Sequence, residues 1–163
     1  MTTKEAKHEL ETYAHMCQVL DRLRSDARVA ELAAQSPRTS SFSAAASHGG
    51  DSYDEKIVRM LDKKQRVTDA ERCIIFVEII LDTIFDSAEK KTRKILIDFC
   101  IKNKSCEAIA SEVSASAPRV YQILDEALEI YIFNRAIIVQ MLDFDPFVQD
   151  KTEADSRAHT REL

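Results

Sequence analysis

Apolar residues recur along most of the chain at spacings of three and four, the period of a helix with one buried face. The first stripe comprises Ala6, Leu10, Tyr13, Cys17, Leu20, Leu23, Ala27, Ala30 and Ala34. Thr2-x-x-Glu5 precedes it as a capping box, so we predict a long first helix over residues 1–34. Alanine lines its final third and permits close approach of another helix. That helix belongs either to the same chain, as a helical hairpin, or to a second copy, as a coiled coil.

Small and polar residues without periodicity fill residues 35–52 and predict a flexible linker. Ser52-x-x-Glu55 then restarts a helix within a central helical segment, residues 53–86. A second capping box, Thr68-x-x-Glu71, predicts a break or kink near Val67.

Asp86-x-x-Glu89 is expected to open the next helix, whose apolar face includes Ile95 and Phe99. A short helix over 107–113, a break at Ser114–Ser116 and a long helix over 117–142 follow. We therefore assign residues 87–142 to one domain. The polar, acidic segment 143–163 lacks periodicity, and we expect most of it to be disordered.

Only two glycines and three prolines occur among 163 residues. Sheet proteins need glycine at turns, and nucleotide-binding loops need it where the backbone approaches phosphate. The composition therefore predicts an all-α fold and excludes P-loop and dinucleotide-binding sites.

No candidate catalytic or metal site emerges from the residue spacing. The four cysteines form no CxxC pair, and no histidine stands at ligand spacing from them. No serine, histidine and aspartate set or carboxylate pair suggests a cleft. We expect no enzyme activity, no cofactor, no metal and no small-molecule substrate.

The longest apolar stretch, 73–81, is too short to span a bilayer. No basic start followed by an apolar run marks a secretory signal. We expect a cytoplasmic protein with no membrane partner.

Charge is unevenly distributed along this acidic chain, whose formal net charge is −5. Residues 88–135 carry eight Lys or Arg against seven Asp or Glu, and Ala88–Lys104 is locally basic. The location of this basic stretch matters more for a nucleic-acid partner than the total charge.

Two short helices followed by an abrupt turn and a longer helix are the arrangement of a helix-turn-helix, whose last helix reads the major groove. Ser116 is a candidate N-cap for that helix. On its outward face, Arg119 and Gln122 can each give bidentate hydrogen bonds to a base, and Tyr121 lies to the side. Near the start of the supporting helix, three residues are placed to hold a phosphate: Lys102, Lys104 and Ser105.

The stretch from Ser105 to Leu128 resembles region 4 of bacterial sigma factors. The matching positions are Ser105, Ile109, Ala110, Ser116, Arg119, Val120, Gln122, Ile123, Ala127 and Leu128. Sigma motifs commonly have glycine or another turn-former where Ser114 stands, and polar reading residues where Ala117 and Pro118 stand.

With its long helical N-terminal part, the chain is similar to the ArpU/RinA-type transcriptional regulators of phages and prophages of Gram-positive bacteria. The resemblance implies activation of phage late genes through binding of double-stranded promoter DNA, with the helix 117–128 in the major groove and RNA polymerase as a further partner. Because Ala117 and Pro118 cannot read bases, each domain makes few base contacts and is expected to bind DNA weakly. Weak binding by one domain favours a homo-oligomer, formed through the N-terminal helices. Two alternatives stay open: a small-terminase-like DNA-recognition protein of phage packaging, and a sigma-like module that binds polymerase.

Overall fold

The computed structural model of the chain describes residues 1–35, 52–85 and 90–148. It contains five α-helices and one π-helical segment: α1 (Thr3–Gln35), α2 (Tyr53–Phe85), α3 (Lys90–Leu96), the π-helical segment Ile97–Ile101, α4 (Cys106–Glu112) and α5 (Ala117–Leu142). No strand occurs among these residues, which confirms the predicted all-α class. None of the described helices has the length and hydropathy needed to cross a membrane.

Capping boxes fix the starts of both long helices. The Thr2 amide donates to Glu5 Oε2 at 2.7 Å, and the Glu5 amide donates to Thr2 Oγ1 at 3.2 Å. Ser52 and Glu55 make the same reciprocal pair at 2.7 and 3.2 Å. These bonds satisfy amides that would otherwise lack partners in the first turn. The expected start at Asp86 and most of the expected linker lie outside the described residues.

The predicted break near Val67 is wrong, because α2 continues without interruption from Tyr53 to Phe85. The Thr68 hydroxyl does not cap a new helix but donates to the Lys64 carbonyl, one turn earlier, at 3.1 Å. A threonine in this position is compatible with an intact helix because its hydroxyl adds to the backbone ladder without replacing it.

Two compact units divide the chain at positions different from the predicted segments. Unit 1 comprises Met1–Cys17 and Arg72–Leu163, and unit 2 comprises Gln18–Glu71. Each long helix therefore contributes residues to both units.

Within unit 2, α1 and α2 pair in antiparallel fashion. Arg24 bonds Glu71 at 2.8 Å, while Glu31, further along α1, bonds Lys64, earlier on α2, at 2.7 Å. The alanines that were expected to permit close helix approach are buried within the single chain: Ala27, Ala30 and Ala34, together with Ala70. Small side chains on both helices allow this approach.

The core of unit 1 gathers one face from each of its helices. From α1 it takes Ala6 and Leu10, and from α2 it takes Val77, Ile80 and Ile84. The second half of the chain adds a larger set: Ile95, Leu96, Cys100, Cys106, Ile109, Ala110, Val120, Ile123, Leu124, Ala127, Leu128, Tyr131 and Ile138. Helices α4 and α5 each bury one apolar face in this core.

Six residues of the segment assigned to the tail, 143–148, are part of unit 1. Asp143 ends α5 in the left-handed region, with φ 49°. Pro146 is buried, and Phe147 packs against Phe76 with ring centroids 6.1 Å apart. Pro146 and Phe147, which were assigned to the tail, are therefore packed against the fold, and the rest of the predicted tail lies outside the described residues.

Candidate nucleic-acid interface

A tight turn joins α4 to α5 and sets the direction in which α5 begins. The Ala115 amide donates to the Ala110 carbonyl at 3.0 Å, and Val113 caps α4. Ser114 follows in the left-handed region with φ 51°. This is the pattern of a Schellman motif, in which glycine is the usual residue at the left-handed position. Serine there costs on the order of 1 kcal/mol of strain relative to an unstrained backbone.

Serine side chains cap both helices of this segment, as their sequence positions predict. Ser105 Oγ accepts from the Ala108 amide at 3.2 Å, and Ser116 Oγ accepts from the Arg119 amide at 3.4 Å. Pro118 occupies the first turn of α5, where a missing amide hydrogen costs little. Both serine hydroxyls therefore accept hydrogen bonds from helix amides. Their primary role is to stabilise the starts of α4 and α5.

Arg119 and Gln122 lie side by side on the exposed face of the first turns of α5. Arg119 Nη1 donates to Gln122 Oε1 at 3.1 Å and lies 4.0 Å from Glu126 Oε1. On the opposite side of α5, Leu124 and Leu128 are buried. The guanidinium and the carboxamide thus form one exposed polar pair on a helix whose rotation is fixed by its buried face.

Tyr121 is half exposed at the side of the first turns of α5. Hydrogen bonding with the Cys106 thiol raises the pKa of Tyr121 above its ordinary value, and electrostatic interaction with the same thiol adds to the shift. The exposed ring stays accessible beside the pair of Arg119 and Gln122.

The lysines of the predicted phosphate site belong to a lysine–carboxylate cluster formed by Lys94, Lys102, Lys104, Asp98 and Glu112. Lys102 Nζ bonds Asp98 Oδ1 at 2.8 Å, and Lys104 Nζ bonds Glu112 Oε1 at 2.6 Å. Lys94 Nζ lies 3.4 Å from Glu112 Oε2. Three ammonium groups face two carboxylates, so one net positive charge remains. The cluster can still attract phosphate, but with less charge than the lysine count suggests.

Asp98 is fully buried in the π-helical segment at the centre of this cluster. Its Oδ2 accepts no hydrogen bond from any described residue and lies 3.6 Å from Lys104 Nζ. Burial raises the pKa of Asp98, but the hydrogen bond from Lys102 and the charges of all three lysines outweigh it, and the net pKa is lowered. The buried carboxylate therefore stays ionised and holds the lysines against the fold.

The hydrogen bond from Lys104, followed by that from Lys94, also lowers the pKa of Glu112. The structure thus brings the predicted residues together in two groups: Arg119 with Gln122, and Lys102 with Lys104. The carboxylates that restrain the second group, Asp98 and Glu112, did not figure in the predicted site. The sequence signal that could have identified them is the presence of acidic residues in and just after a basic stretch.

A second polar cluster, absent from the predicted site, is buried between α1, α5 and the segment after α5. Arg135 Nε donates to both carboxylate oxygens of Glu9 at 2.8 Å, and Arg135 Nη2 donates to those of Asp145 at 2.9 and 2.8 Å. The Tyr131 hydroxyl donates to Glu9 Oε1 at 2.7 Å. Burial and the adjacent carboxylate raise the pKa of Tyr131, so the phenol stays protonated.

An open groove of about 770 Å³ lies beside this cluster and is lined by residues that include His8, Thr12 and Phe147. Its arginine, Arg135, already bonds two carboxylates, so the three groups together carry one net negative charge. The guanidinium is therefore not free to hold an anionic ligand in the groove.

Within the described ranges, no group of three or more His, Cys, Asp or Glu side chains is arranged to hold a metal ion. Comparison of the chain with family models, with curated protein sequences and with solved structures finds no match.

Proposed function

We propose that this protein is a sequence-specific transcriptional regulator that binds double-stranded DNA with the first turns of α5 in the major groove. One observation carries the proposal: Arg119 and Gln122 lie together on an exposed helix face while the opposite face is buried. Arginine can bond guanine O6 and N7, and glutamine can bond adenine N6 and N7. A helix held by its buried face presents such a pair in a fixed direction.

The segment before α5 supports the same proposal. Helix α4, the turn at Ser114 and helix α5 follow one another as in a helix-turn-helix, and Ser105 and Ser116 cap the two helices. The resemblance to sigma region 4 and to ArpU/RinA-type regulators extends the proposal to promoters of phage late genes, with activation as the outcome. In this role Lys102 and Lys104 position the protein on phosphates, and Arg119 and Gln122 select the sequence.

A sigma-like module that binds RNA polymerase is the second candidate, and the charge pairing favours it. Carboxylates already engage all three lysines of the lysine–carboxylate cluster. Along the exposed side of α5, Asp125, Glu126 and Glu129 follow the reading pair and would repel a DNA backbone. Weak DNA affinity with a protein partner that adds contacts is consistent with this arrangement.

The test is recovery of DNA by the purified protein from its sheared source genome at moderate salt, followed by sequencing of the bound fragments. We expect one or a few sharp peaks upstream of genes. The Arg119→Ala/Gln122→Ala variant is expected to lose these peaks and to reduce affinity for the recovered site at least about thirtyfold, since each bidentate contact contributes about 1–3 kcal/mol.

A matched control removes the same residue types from an exposed part of α1, as Arg28→Ala/Gln18→Ala. This control should bind like the wild type. Undiminished binding by the Arg119→Ala/Gln122→Ala variant would refute the assigned reading helix. If no fragment is enriched at any salt concentration and polymerase co-purifies with the protein, the sigma-like module that binds RNA polymerase becomes the supported function.

A further inference from the structure

The C-terminal half of α5 exposes an apolar stripe. Phe133, Ile137 and Met141 follow one another at intervals of one helical turn and expose 67, 39 and 74% of their surface. Ala136 and Gln140 lie beside them and are also exposed. The spacing i, i+3, i+4, i+7, i+8 places all five on one side of the helix. We call these five residues the α5 stripe.

No exposed charge interrupts this part of the helix. Between Ile130 and Leu142 the only charged residue is Arg135, which is largely buried against Glu9 and Asp145. By contrast, the exposed isoleucines of α2, Ile75 and Ile79, are interleaved with Glu78 and Asp82. Charge depletion with aromatic and methionine enrichment is typical of the core of a protein interface.

The segments outside the described residues, 36–51, 86–89 and 149–163, are poor in apolar residues. They contain two large apolar side chains, Phe42 and Leu163. Residues 149–163 are predominantly charged and polar and lack a repeating apolar pattern. A surface that matches the chemistry of the α5 stripe is apolar and free of charge, as the α5 stripe itself is.

We propose that the α5 stripe is a dimer interface and that its occupant is the α5 stripe of a second copy. A two-fold contact places the same surface on both sides, so an apolar stripe meets an apolar stripe. The chain carries a net charge of −5, so two copies repel one another at long range. The α5 stripe is a face on which two acidic molecules meet without opposing like charges.

Geometry favours an antiparallel pair centred near Ile137. A two-fold axis that is perpendicular to both helices and passes near Ile137 brings Phe133 of one copy opposite Met141 of the other. Thirteen residues of helix extend about 18–20 Å, comparable to an ordinary helix packed in a core.

The experiment measures the mass of the full chain in solution by sedimentation equilibrium over a wide concentration range, without DNA. We expect the mass to rise from the 18.5 kDa of one chain towards twice that value as concentration increases. The Phe133→Glu/Met141→Glu variant should raise the dimer dissociation constant at least tenfold. Both side chains are exposed, and an unchanged helical circular dichroism spectrum verifies the fold.

The matched control, Val58→Glu/Leu61→Glu, replaces two exposed apolar residues of α2 in unit 2. It should dimerise like the wild type. A wild type that stays monomeric at every concentration overturns the proposal. Loss of the dimer in the α2 variant, with the α5 variant unaffected, overturns it in favour of the N-terminal helices.

A disulfide trap tests the symmetry. In a Cys17→Ser background, Ile137→Cys should yield an oxidised dimer on non-reducing gels, whereas Ser111→Cys on α4 should not. Equal trapping at both positions would overturn the interface. None of these measurements requires DNA binding, so the dimer and the proposed function fail or succeed separately.

Discussion

Glu9 and Glu11 stand two residues apart on α1, yet their surroundings differ. Glu9 is 6% exposed and bonds both Arg135 and Tyr131. Glu11 is exposed and lies 3.7 Å from Lys7, one turn away on the same helix. The two glutamates therefore allow one substitution to be compared in a buried and in a solvated ion pair.

We expect Glu9→Gln to lower the free energy of unfolding by about 2 kcal/mol, because the buried Arg135 and Tyr131 lose hydrogen bonds to a charged acceptor. Glu11→Gln should lower it by no more than about 0.5 kcal/mol, because water screens the exposed pair. Urea unfolding followed by circular dichroism measures both changes. Equal effects would contradict the contribution of the buried cluster.

Some residue roles were predictable and others were not, for a physical reason. A capping serine acts on amides three residues away, so Ser105 and Ser116 could be assigned from local sequence. The carboxylate partner of Arg135 on α1 is 126 residues away, and only tertiary packing brings the two together. Lys102 and Lys104 were predicted to hold a phosphate. Asp98 stands one helical turn before Lys102 and could have been recognised as a partner, whereas Glu112, eight residues after Lys104, meets it only in the folded structure.

Among the elements, α2 and α5 show that a hydroxyl residue predicted to cap a helix can have two outcomes. Thr68 lies within α2 and donates its hydroxyl to the preceding turn, whereas Ser116 begins α5 and accepts from an amide. A capping box defines a helix start only when the residues before it leave the helix. The residues preceding Thr68 continue α2, so the local pattern could not identify the break as false.

Substitution of these two residues should separate the two roles. Ser116→Ala should lower the free energy of unfolding by about 1 kcal/mol, because the Arg119 amide loses its acceptor. Thr68→Ala should leave it unchanged or raise it slightly, because alanine has a higher helix propensity and no cap is lost. Urea denaturation measures both. A larger loss for Thr68→Ala than for Ser116→Ala would contradict the continuity of α2.

Across the whole molecule, the four cysteine thiols differ in burial, so their reactivity can be used to test the packing of the fold. Cys73, Cys100 and Cys106 are buried, whereas Cys17 is exposed. Burial raises the pKa of Cys100 to about 12. Desolvation also raises the pKa of Cys17, opposed by its hydrogen bond with Tyr13 and reinforced by Glu78.

At pH 8 we expect one thiol of the native protein to react with Ellman's reagent, more slowly than free cysteine, because the raised pKa reduces its thiolate fraction. The rate should increase as the pH rises from 8 to 10. All four should react in denaturant, and Cys17→Ser should abolish the native reaction. Rapid reaction of two or more native thiols would show that the core is not packed as described.

The all-α class and the boundaries of α4 and α5 followed from composition, periodicity and caps. The division into two units did not, because it depends on which distant segments pack together. Unit 1 combines Met1–Cys17 with Arg72–Leu163, so its core joins residues that precede unit 2 in the sequence with residues that follow it. Local patterns contain no information about that pairing.

The Arg135 cluster also has a consequence for synthesis on the ribosome. Glu9 is translated 126 residues before the arginine that neutralises it in the core, a delay of about ten seconds at roughly 5–20 residues per second. During that interval the start of α1 has no arginine partner for its carboxylate and remains hydrated. Unit 2 is continuous in sequence and is expected to form first, whereas unit 1 can close only after Arg135 and Asp145 leave the exit tunnel.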